Sequence, residues 1–181
     1  MTSLPGAGAA RLLRLMVCAG AGLPILLAAQ SPGRQQPPRC DAAEHRQLDF
    51  WLGRWDVTMR GRAAGTNLVT LEERGCLVHE HWSGAGGETG QSLNFYDRRD
   101  GQWHQVWVAS TGNVLQLAGR YEGGTLTYHG QVRQADGSVI EHRLSFRRNT
   151  DGTVRQLWET SADRGATWQV SFDGLYRKRR G

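Results

Sequence analysis

The spacing of its turn signals constrains the fold of this chain more than any other feature. From residue 53 onward, about ten short stretches of strand-forming residues alternate with glycine-containing turns. The clearest turns are Asp100-Gly101, Gly123-Gly124, Asp136-Gly137 and Asp151-Gly152, which offer the positive φ angles of tight hairpins. Such hairpins join consecutive strands antiparallel, and the long helical crossovers of a parallel sheet are missing. A strongly twisted meander hides its edges best by closing on itself. The sequence therefore predicts an all-β, antiparallel up-and-down barrel of about ten strands.

The elements of this barrel can be placed along the chain. The predicted strands cover residues 55–60, 68–73, 76–82, 91–97, 103–109, 114–121, 125–134, 138–149, 153–161 and 168–177. One short N-terminal helix is predicted at residues 41–48, with Asp41 as its N-cap. Leu48 and Trp51 are expected to fold down as a lid on the barrel.

The first 29 residues have the layout of a secretory signal peptide. Arg11 and Arg14 form a basic start, residues 15–27 are largely apolar, and Ala28-Ala29 precede a polar segment. The apolar run is too short for a stable membrane anchor. Residues 30–40, rich in proline, are interpreted as a flexible spacer, residues 41–178 as one barrel domain, and residues 179–181 as a basic tail. We therefore expect export, to the periplasm or to the outside of the cell.

Two cysteines, Cys40 and Cys76, follow the predicted signal peptide. An exported protein with an even number of cysteines favours a disulfide between them, which would be worth roughly 4 kcal/mol from loop closure. Two free thiols are the alternative.

The positive charge of the chain does not indicate a nucleic-acid partner. Loss of Arg11 and Arg14 lowers the formal net charge from +5 to +3, and much of the remaining excess lies at residues 177–180. No stripe of aromatic and basic residues accompanies this tail, so it is interpreted as a solvated end. No nucleic-acid partner is expected, and the oligomeric state cannot be derived from the sequence.

Strand alternation defines a set of candidate ligand-binding residues. If the faces that carry tryptophan point inward, the lumen combines aromatic walls with a few polar groups, as small-molecule pockets do. The candidates are Glu80, Trp82, Asn94, Tyr96, Trp103, Gln105, Trp107, Gln156 and Trp158. This pattern favours a small, partly apolar ligand of unknown identity. A solid core pinned by internal hydrogen bonds, which would leave only the surface for partners, is the alternative.

Signatures of common enzymes are missing from the sequence. It contains no Gly-x-Ser-x-Gly, no phosphate-binding glycine loop and no paired cysteine and histidine for nucleophilic attack. No catalytic residue and no cofactor is assigned. An isomerase or hydrolase that uses Glu80 as acid or base stays an alternative, although Glu159, its possible partner, is expected to face the other way.

His79-x-His81 on one strand has a spacing that suits a metal ion. No local pattern supplies a third ligand, although His104, His129 or His142 could approach in space. Two neighbouring exposed histidines are the preferred interpretation, and no metal is assigned. A haem or metal carrier is a further alternative.

The segment Ser161-x-Asp163-x-Gly165-x-Thr167-Trp168 matches the Asp-box hairpin of sialidase propellers. A propeller needs several copies of this motif, one for each blade, and the chain contains one. The motif therefore predicts a well-ordered hairpin between the last two strands.

The order of several motifs resembles a lipocalin-like family of bacterial exported proteins of unknown function. The motifs, which span residues 41–178, are His45-Arg46-x-x-Asp49-Phe50-Trp51-x-Gly53-x-Trp55, Gly75-Cys76-x-x-x-Glu80-x-Trp82-x-Gly84, Ser92-Leu93-Asn94-Phe95-Tyr96-Asp97, Trp103-x-Gln105-x-Trp107-Val108 and Trp158-Glu159. The resemblance implies a calycin-type barrel with no established ligand or activity. In such barrels a tryptophan placed like Trp55 plugs one end, and an arginine of the last strand would lie across its face. Ala109 stands where many relatives have aspartate, so a polar role there is not implied.

Overall fold

The computed structural model describes residues 40–179. The predicted signal peptide, residues 30–39 of the spacer and residues 180–181 of the tail lie outside the described residues. Within the described part, ten antiparallel strands form one closed barrel in which each strand pairs with its neighbours in sequence and the first strand pairs with the last. This architecture confirms the predicted up-and-down barrel.

The strand bounds agree with the sequence prediction to within two residues, with one exception. The strands are β1 (Gly53–Met59), β2 (Arg62–Glu72), β3 (Leu77–Gly84), β4 (Thr89–Asp97), β5 (Gln102–Ala109), β6 (Val114–Glu122), β7 (Thr125–Arg133), β8 (Val139–Arg148), β9 (Val154–Ser161) and β10 (Gln169–Lys178). β2 begins at Arg62, six residues earlier than expected. The added residues include Ala63, Ala64 and Gly65, which have low intrinsic strand propensity. Ala63 pairs with β1, and Gly65 pairs with both β1 and β3.

The aspartate-glycine turns form hairpins as predicted. The glycine takes the positive φ angle in each, at 69° for Gly101, 85° for Gly137 and 81° for Gly152. The preceding aspartate has a different role, since its carboxylate accepts the backbone N–H two residues further on. These pairs are Asp100 with Gln102 (3.0 Å), Asp136 with Ser138 (2.9 Å) and Asp151 with Thr153 (3.0 Å).

One end of the barrel is closed by the segment before β1, which we call the lid (residues 43–52). The predicted short helix is present as two 3-10 turns, Ala43–Arg46 and Asp49–Trp51. The expected capping role of Asp41 is wrong: Ala42 occupies the N-cap position, and no side chain caps the turn. Packing holds the lid instead. Leu48 and Trp51 are fully buried, and the Trp51 ring centroid lies 4.4 Å from that of Phe146.

Trp55 fills the same end of the barrel, as expected. Its side chain is buried, and its indole N–H donates to the carbonyl of Trp51 at 2.8 Å. The cation near its ring is Lys178, with Nζ at 5.6 Å from the ring centroid, and not an arginine. The register explains this correction, because β1 pairs Trp55 directly with Lys178 and places Arg177 opposite Asp56 on the other face.

The predicted disulfide between Cys40 and Cys76 is present. It joins the residue that precedes the lid to the connection between β2 and β3, which contains a 3-10 turn at Glu73–Gly75. The Arg46 guanidinium donates to the carbonyl of Gly75 in the same connection. The lid is therefore joined to the connection between β2 and β3 by one covalent bond and by one hydrogen bond from its first turn.

The Asp-box segment forms the predicted hairpin between β9 and β10. Asp163 accepts hydrogen bonds from the backbone N–H of Thr167 (2.8 Å) and from its hydroxyl (2.6 Å), and these help to lower the pKa of Asp163 to about 2. Gly165 takes the left-handed conformation with φ of 83°. Trp168 packs beside it, with the Arg143 guanidinium 4.2 Å from the Trp168 ring centroid.

Candidate ligand-binding site

A cavity of about 530 Å³ lies inside the barrel, away from the lid. The indoles of Trp82, Trp107 and Trp158 form much of its wall. Its rim is made by hairpin residues at the end of the barrel opposite the lid, namely Glu88, Thr89, Thr111, Asn113 and Gln134. This volume falls within the range of protein pockets that hold small molecules. The barrel thus has a packed end and a hollow end.

The cavity contains six of the nine predicted ligand-binding residues: Glu80, Trp82, Gln105, Trp107, Gln156 and Trp158. Asn94, Tyr96 and Trp103 do not line it. Trp103 and Tyr96 belong to the lid end, where the Trp103 indole donates to Gln47 at 2.9 Å and the Tyr96 ring packs edge-on against His45. Alternation identified the inward face correctly but could not give the depth of each side chain along the barrel axis.

Glycines in the strands make room for the aromatic wall. A Cβ atom placed on each of three glycines would come far closer to a neighbouring ring than real Cβ atoms do. The pairs, with the distance from this Cβ to the nearest ring atom, are Gly65 with Trp82 (2.7 Å), Gly90 with Trp107 (2.3 Å) and Gly174 with Phe172 (2.3 Å). Each ring therefore lies close against the wall and leaves the centre of the lumen open. Glycine inside a strand pattern is the sequence signal for such a close approach.

The Gly90→Ala variant tests this arrangement. We expect the added methyl group to displace the Trp107 ring toward the lumen and to lower the free energy of unfolding by roughly 1–3 kcal/mol, the usual cost of overpacking. Urea denaturation measures the loss. The matched control is the same substitution in a Trp107→Leu background, where the ring that clashes is gone and the loss should be smaller. An equal loss in both backgrounds would contradict the proposed contact.

Glu80 lies at the floor of the cavity and is 4% exposed. Its two carboxylate oxygens accept hydrogen bonds from the Asn67 amide and the Ser92 hydroxyl, each at 2.6 Å. Burial raises the pKa of Glu80, and these two hydrogen bonds offset the rise only in part. A carboxyl group with a raised pKa is therefore held rigidly below the tryptophan wall.

The network continues away from Glu80 through buried side chains. The Asn94 amide donates to the Ser92 hydroxyl at 2.8 Å. The Asn94 carbonyl oxygen in turn accepts from the Gln105 amide (2.9 Å) and from the Tyr128 hydroxyl (3.2 Å). Asn94 thus orients Gln105, which does line the cavity, and connects it to Glu80. A contact with ligand is accordingly proposed for Gln105 and not for Asn94.

The raised pKa of Glu80 has a consequence for stability. Between the ordinary value of 4.5 and the higher pKa of the folded state, the folded protein binds more protons than the unfolded chain. Glu80 therefore contributes a fall in the free energy of unfolding as pH rises through this window. We expect Glu80→Gln to remove this contribution and so change the pH dependence of stability, measured by urea denaturation at several values between pH 4 and 8. Glu122→Gln is the control, because Glu122 is exposed at the end of β6. An unchanged pH dependence in Glu80→Gln would refute the assignment of the raised pKa to Glu80.

His142 is a member of the cavity wall that sequence reasoning placed only among the distant metal-ligand candidates. Burial lowers its pKa, so the ring is neutral at pH 7. The Trp158 indole donates to its Nδ1 at 3.0 Å, which leaves the ring proton on Nε2. The inward position of His142 could have been predicted from alternation along β8, because the buried residues of that strand are His142, Leu144 and Phe146. A neutral imidazole with a free N–H donor is thus part of the wall.

Gln156 supplies a further polar group, on the neighbouring strand β9. The Tyr176 hydroxyl donates to the Gln156 carbonyl oxygen. Burial raises the pKa of Tyr176 well above 10, which keeps this hydroxyl protonated. The bond fixes the orientation of the Gln156 amide, and its NH₂ group can donate to a bound molecule.

Comparisons with known proteins add no further assignment: neither a family model nor a curated protein matches the chain. Among residues 40–179, no helix has the length and apolar character needed to cross a membrane. The geometry of the cavity is therefore the basis of the functional proposal.

Proposed function

We propose that the protein is an exported β-barrel that binds a small, partly apolar molecule in its lumen. The cavity of about 530 Å³ carries this proposal, because a barrel with a filled core, working only through its surface, has no need of a hollow end. Tightly packed interiors contain few voids larger than a water molecule, so a space of this size is not a packing defect.

The wall defines the chemistry of the ligand. Three indoles offer broad apolar faces, which favour a flat or aromatic body. The Nε2–H of His142 and the amides of Gln105 and Gln156 are donors, so the ligand should carry carbonyl, ether or similar acceptor oxygens toward them. Glu80, already hydrogen-bonded through both oxygens, disfavours a charged anion at the floor.

Export is supported by two separate features. The disulfide Cys40–Cys76 is typical of proteins that fold in oxidising compartments. The order of residue types in positions 1–29 is that of a signal peptide. The lipocalin-like resemblance agrees with both and belongs to the same proposal. Fractionation of cells and medium distinguishes the periplasm from the outside of the cell.

The first experiment identifies the ligand. Native mass spectrometry of protein purified without denaturation should show a complex heavier than the chain alone, and the released molecule can then be titrated back by calorimetry. Fatty acids, sugars, flat aromatic compounds and tetrapyrroles form the panel if nothing co-purifies. Absence of a bound species, together with absence of binding across the panel, would refute the proposal.

The second experiment locates the binding site. Trp107→Ala is expected to weaken binding roughly 10- to 100-fold, because it removes one aromatic face from the cavity. Trp168→Ala is the matched control, since that indole lies outside the lumen beneath Arg143 and its loss should leave the affinity unchanged. Equal effects of the two substitutions would show that the ligand binds elsewhere.

One observation favours a second candidate, an isomerase or hydrolase that uses Glu80. A carboxyl group with a raised pKa at the floor of a cavity is how many enzymes hold a general acid or base. Its hydrogen bonds to Asn67 and Ser92 occupy both oxygens, which favours a structural role. Once the ligand is known, turnover that persists unchanged in Glu80→Gln would eliminate this candidate.

A further inference from the structure

Three side chains with metal-binding chemistry converge on the outer face of the barrel. They are Glu72 at the end of β2 and the pair His79 and His81 on β3. One ligand atom from each lies within 4.8 Å of the others, and the two imidazole centroids are 4.0 Å apart. We call this group the outer triad. It is separate from the lumen, because none of its members lines the cavity.

The strand register assembles the outer triad. Alternation places His79 and His81 on the same outward face, because Glu80, between them, and Val78, before them, are both buried. β2 pairs Thr70 with His79, so Glu72, two residues further along, is the diagonal neighbour of His79 on that face. The third ligand is therefore supplied by an adjacent strand rather than by one of the distant histidines that the sequence suggested.

Neighbouring groups hold the ligands in place. The Thr70 hydroxyl donates to Glu72 Oε1 at 2.6 Å, which orients the carboxylate toward His79. Gln91 Oε1 lies 2.9 Å from His79 Nε2. When Nε2–H donates to Gln91, the lone pair of His79 Nδ1 faces Glu72 Oε2 at 3.2 Å. The contact between His79 Nδ1 and Glu72 Oε2 is satisfied either by a proton on the ring nitrogen or by a cation that binds both atoms.

We propose that Glu72, His79 and His81 bind a borderline divalent cation such as Zn²⁺, with solvent as the fourth ligand. Two imidazole nitrogens and one carboxylate oxygen are a ligand set that zinc commonly takes. Tetrahedral zinc with bonds of about 2.0–2.1 Å separates its ligand atoms by roughly 3.3 Å, close to the 3.2 Å between His79 Nδ1 and Glu72 Oε2. The other pairs of ligand atoms are further apart, and rotation of these partly exposed side chains would bring them to the zinc ion. The Gln91 contact is the outer hydrogen bond that usually orients a metal-binding histidine.

A second group on the surface differs from the outer triad in its surroundings. Asp97, Asp100 and His104 also approach one another. The Arg99 guanidinium, however, already donates to both oxygens of Asp97 at 2.5–3.0 Å and lowers the pKa of that carboxyl to about 2. One of the three groups is thus already paired with a cationic side chain, which disfavours a metal ion there. This group provides the internal control.

Calorimetry with ZnCl₂ tests the outer triad, using the untagged full chain after removal of metals with EDTA. We expect one saturable site per chain. His81→Ala and Glu72→Gln should each weaken Zn²⁺ binding at least tenfold, whereas His104→Ala and Trp107→Ala should leave it unchanged. Circular dichroism of each variant confirms that the fold is retained. Loss of zinc binding in His104→Ala, or its persistence in both triad variants, would overturn the proposal, as would the lack of saturable binding.

The electron paramagnetic resonance spectrum of bound Cu²⁺ gives an independent result. Nitrogen couplings from two imidazoles are expected in the native protein and from one in His81→Ala. A spectrum that does not change on this substitution would also overturn the assignment. Because neither measurement involves the lumen, failure of the lumen proposal leaves the outer triad intact, and the reverse also holds.

Discussion

Trp51→Ala should lower the free energy of unfolding by about 3–5 kcal/mol, the range measured when large buried aromatic residues are truncated. Trp51 is fully buried, and its ring lies against those of Phe146 (4.4 Å) and Tyr176 (6.3 Å). Its backbone carbonyl also accepts the indole N–H of Trp55. The substitution would leave a void at the centre of the lid end, which the rigid strands around it cannot fill.

Two matched variants distinguish the effect of this void on stability from the effect of losing any aromatic side chain. Trp51→Phe keeps a ring in the same place and should cost less than half as much. Trp168→Ala removes an indole from the surface and should change the free energy of unfolding by less than about 1 kcal/mol. Urea denaturation of all three variants gives the comparison. A loss in Trp51→Ala no larger than that in Trp168→Ala would show that the lid does not stabilise the barrel.

Removal of the disulfide in Cys40→Ala/Cys76→Ala should cost about 4 kcal/mol. The bond closes a loop between residues 36 apart in sequence and therefore restricts the unfolded chain considerably. The double substitution avoids an unpaired thiol that could form intermolecular bonds. Urea denaturation again measures the effect, and wild-type protein in a strong reductant should reproduce it. A cost below 1 kcal/mol would mean that packing and hydrogen bonds hold the lid on the barrel without the covalent bond.

Most of the fold could be predicted because its signals are local. The aspartate-glycine turns determine where strands end, and their even spacing predicts that consecutive strands pair antiparallel in a meander. Two features were predicted incorrectly because they depend on how strands pair with one another. Lys178 rather than an arginine lies over Trp55, since the register of β1 with β10 places it there. The early part of β2 has weak strand propensity and gains its structure from both neighbours.

The candidate site was harder to predict, because alternation reports the face of a side chain but not its depth. Trp103 and Trp107 share the inward face of β5, yet four residues of extended strand separate them by roughly 13 Å. Trp103 is buried at the lid end, and Trp107 lines the cavity. Glu72 was missed for a related reason, since its position beside His79 follows from the register of β2 with β3.

The closed lid end also determines how a bound molecule can be handled experimentally. Since Trp51, Trp55 and Trp103 fill that end, a molecule in the lumen of the described barrel would face solvent past rim residues such as Glu88 and Thr111. A ligand tethered to a resin through its outward-facing atoms should still be captured, whereas a tether at its inner end should prevent capture. Two resins that differ only in the point of attachment would therefore reveal which way round the molecule sits.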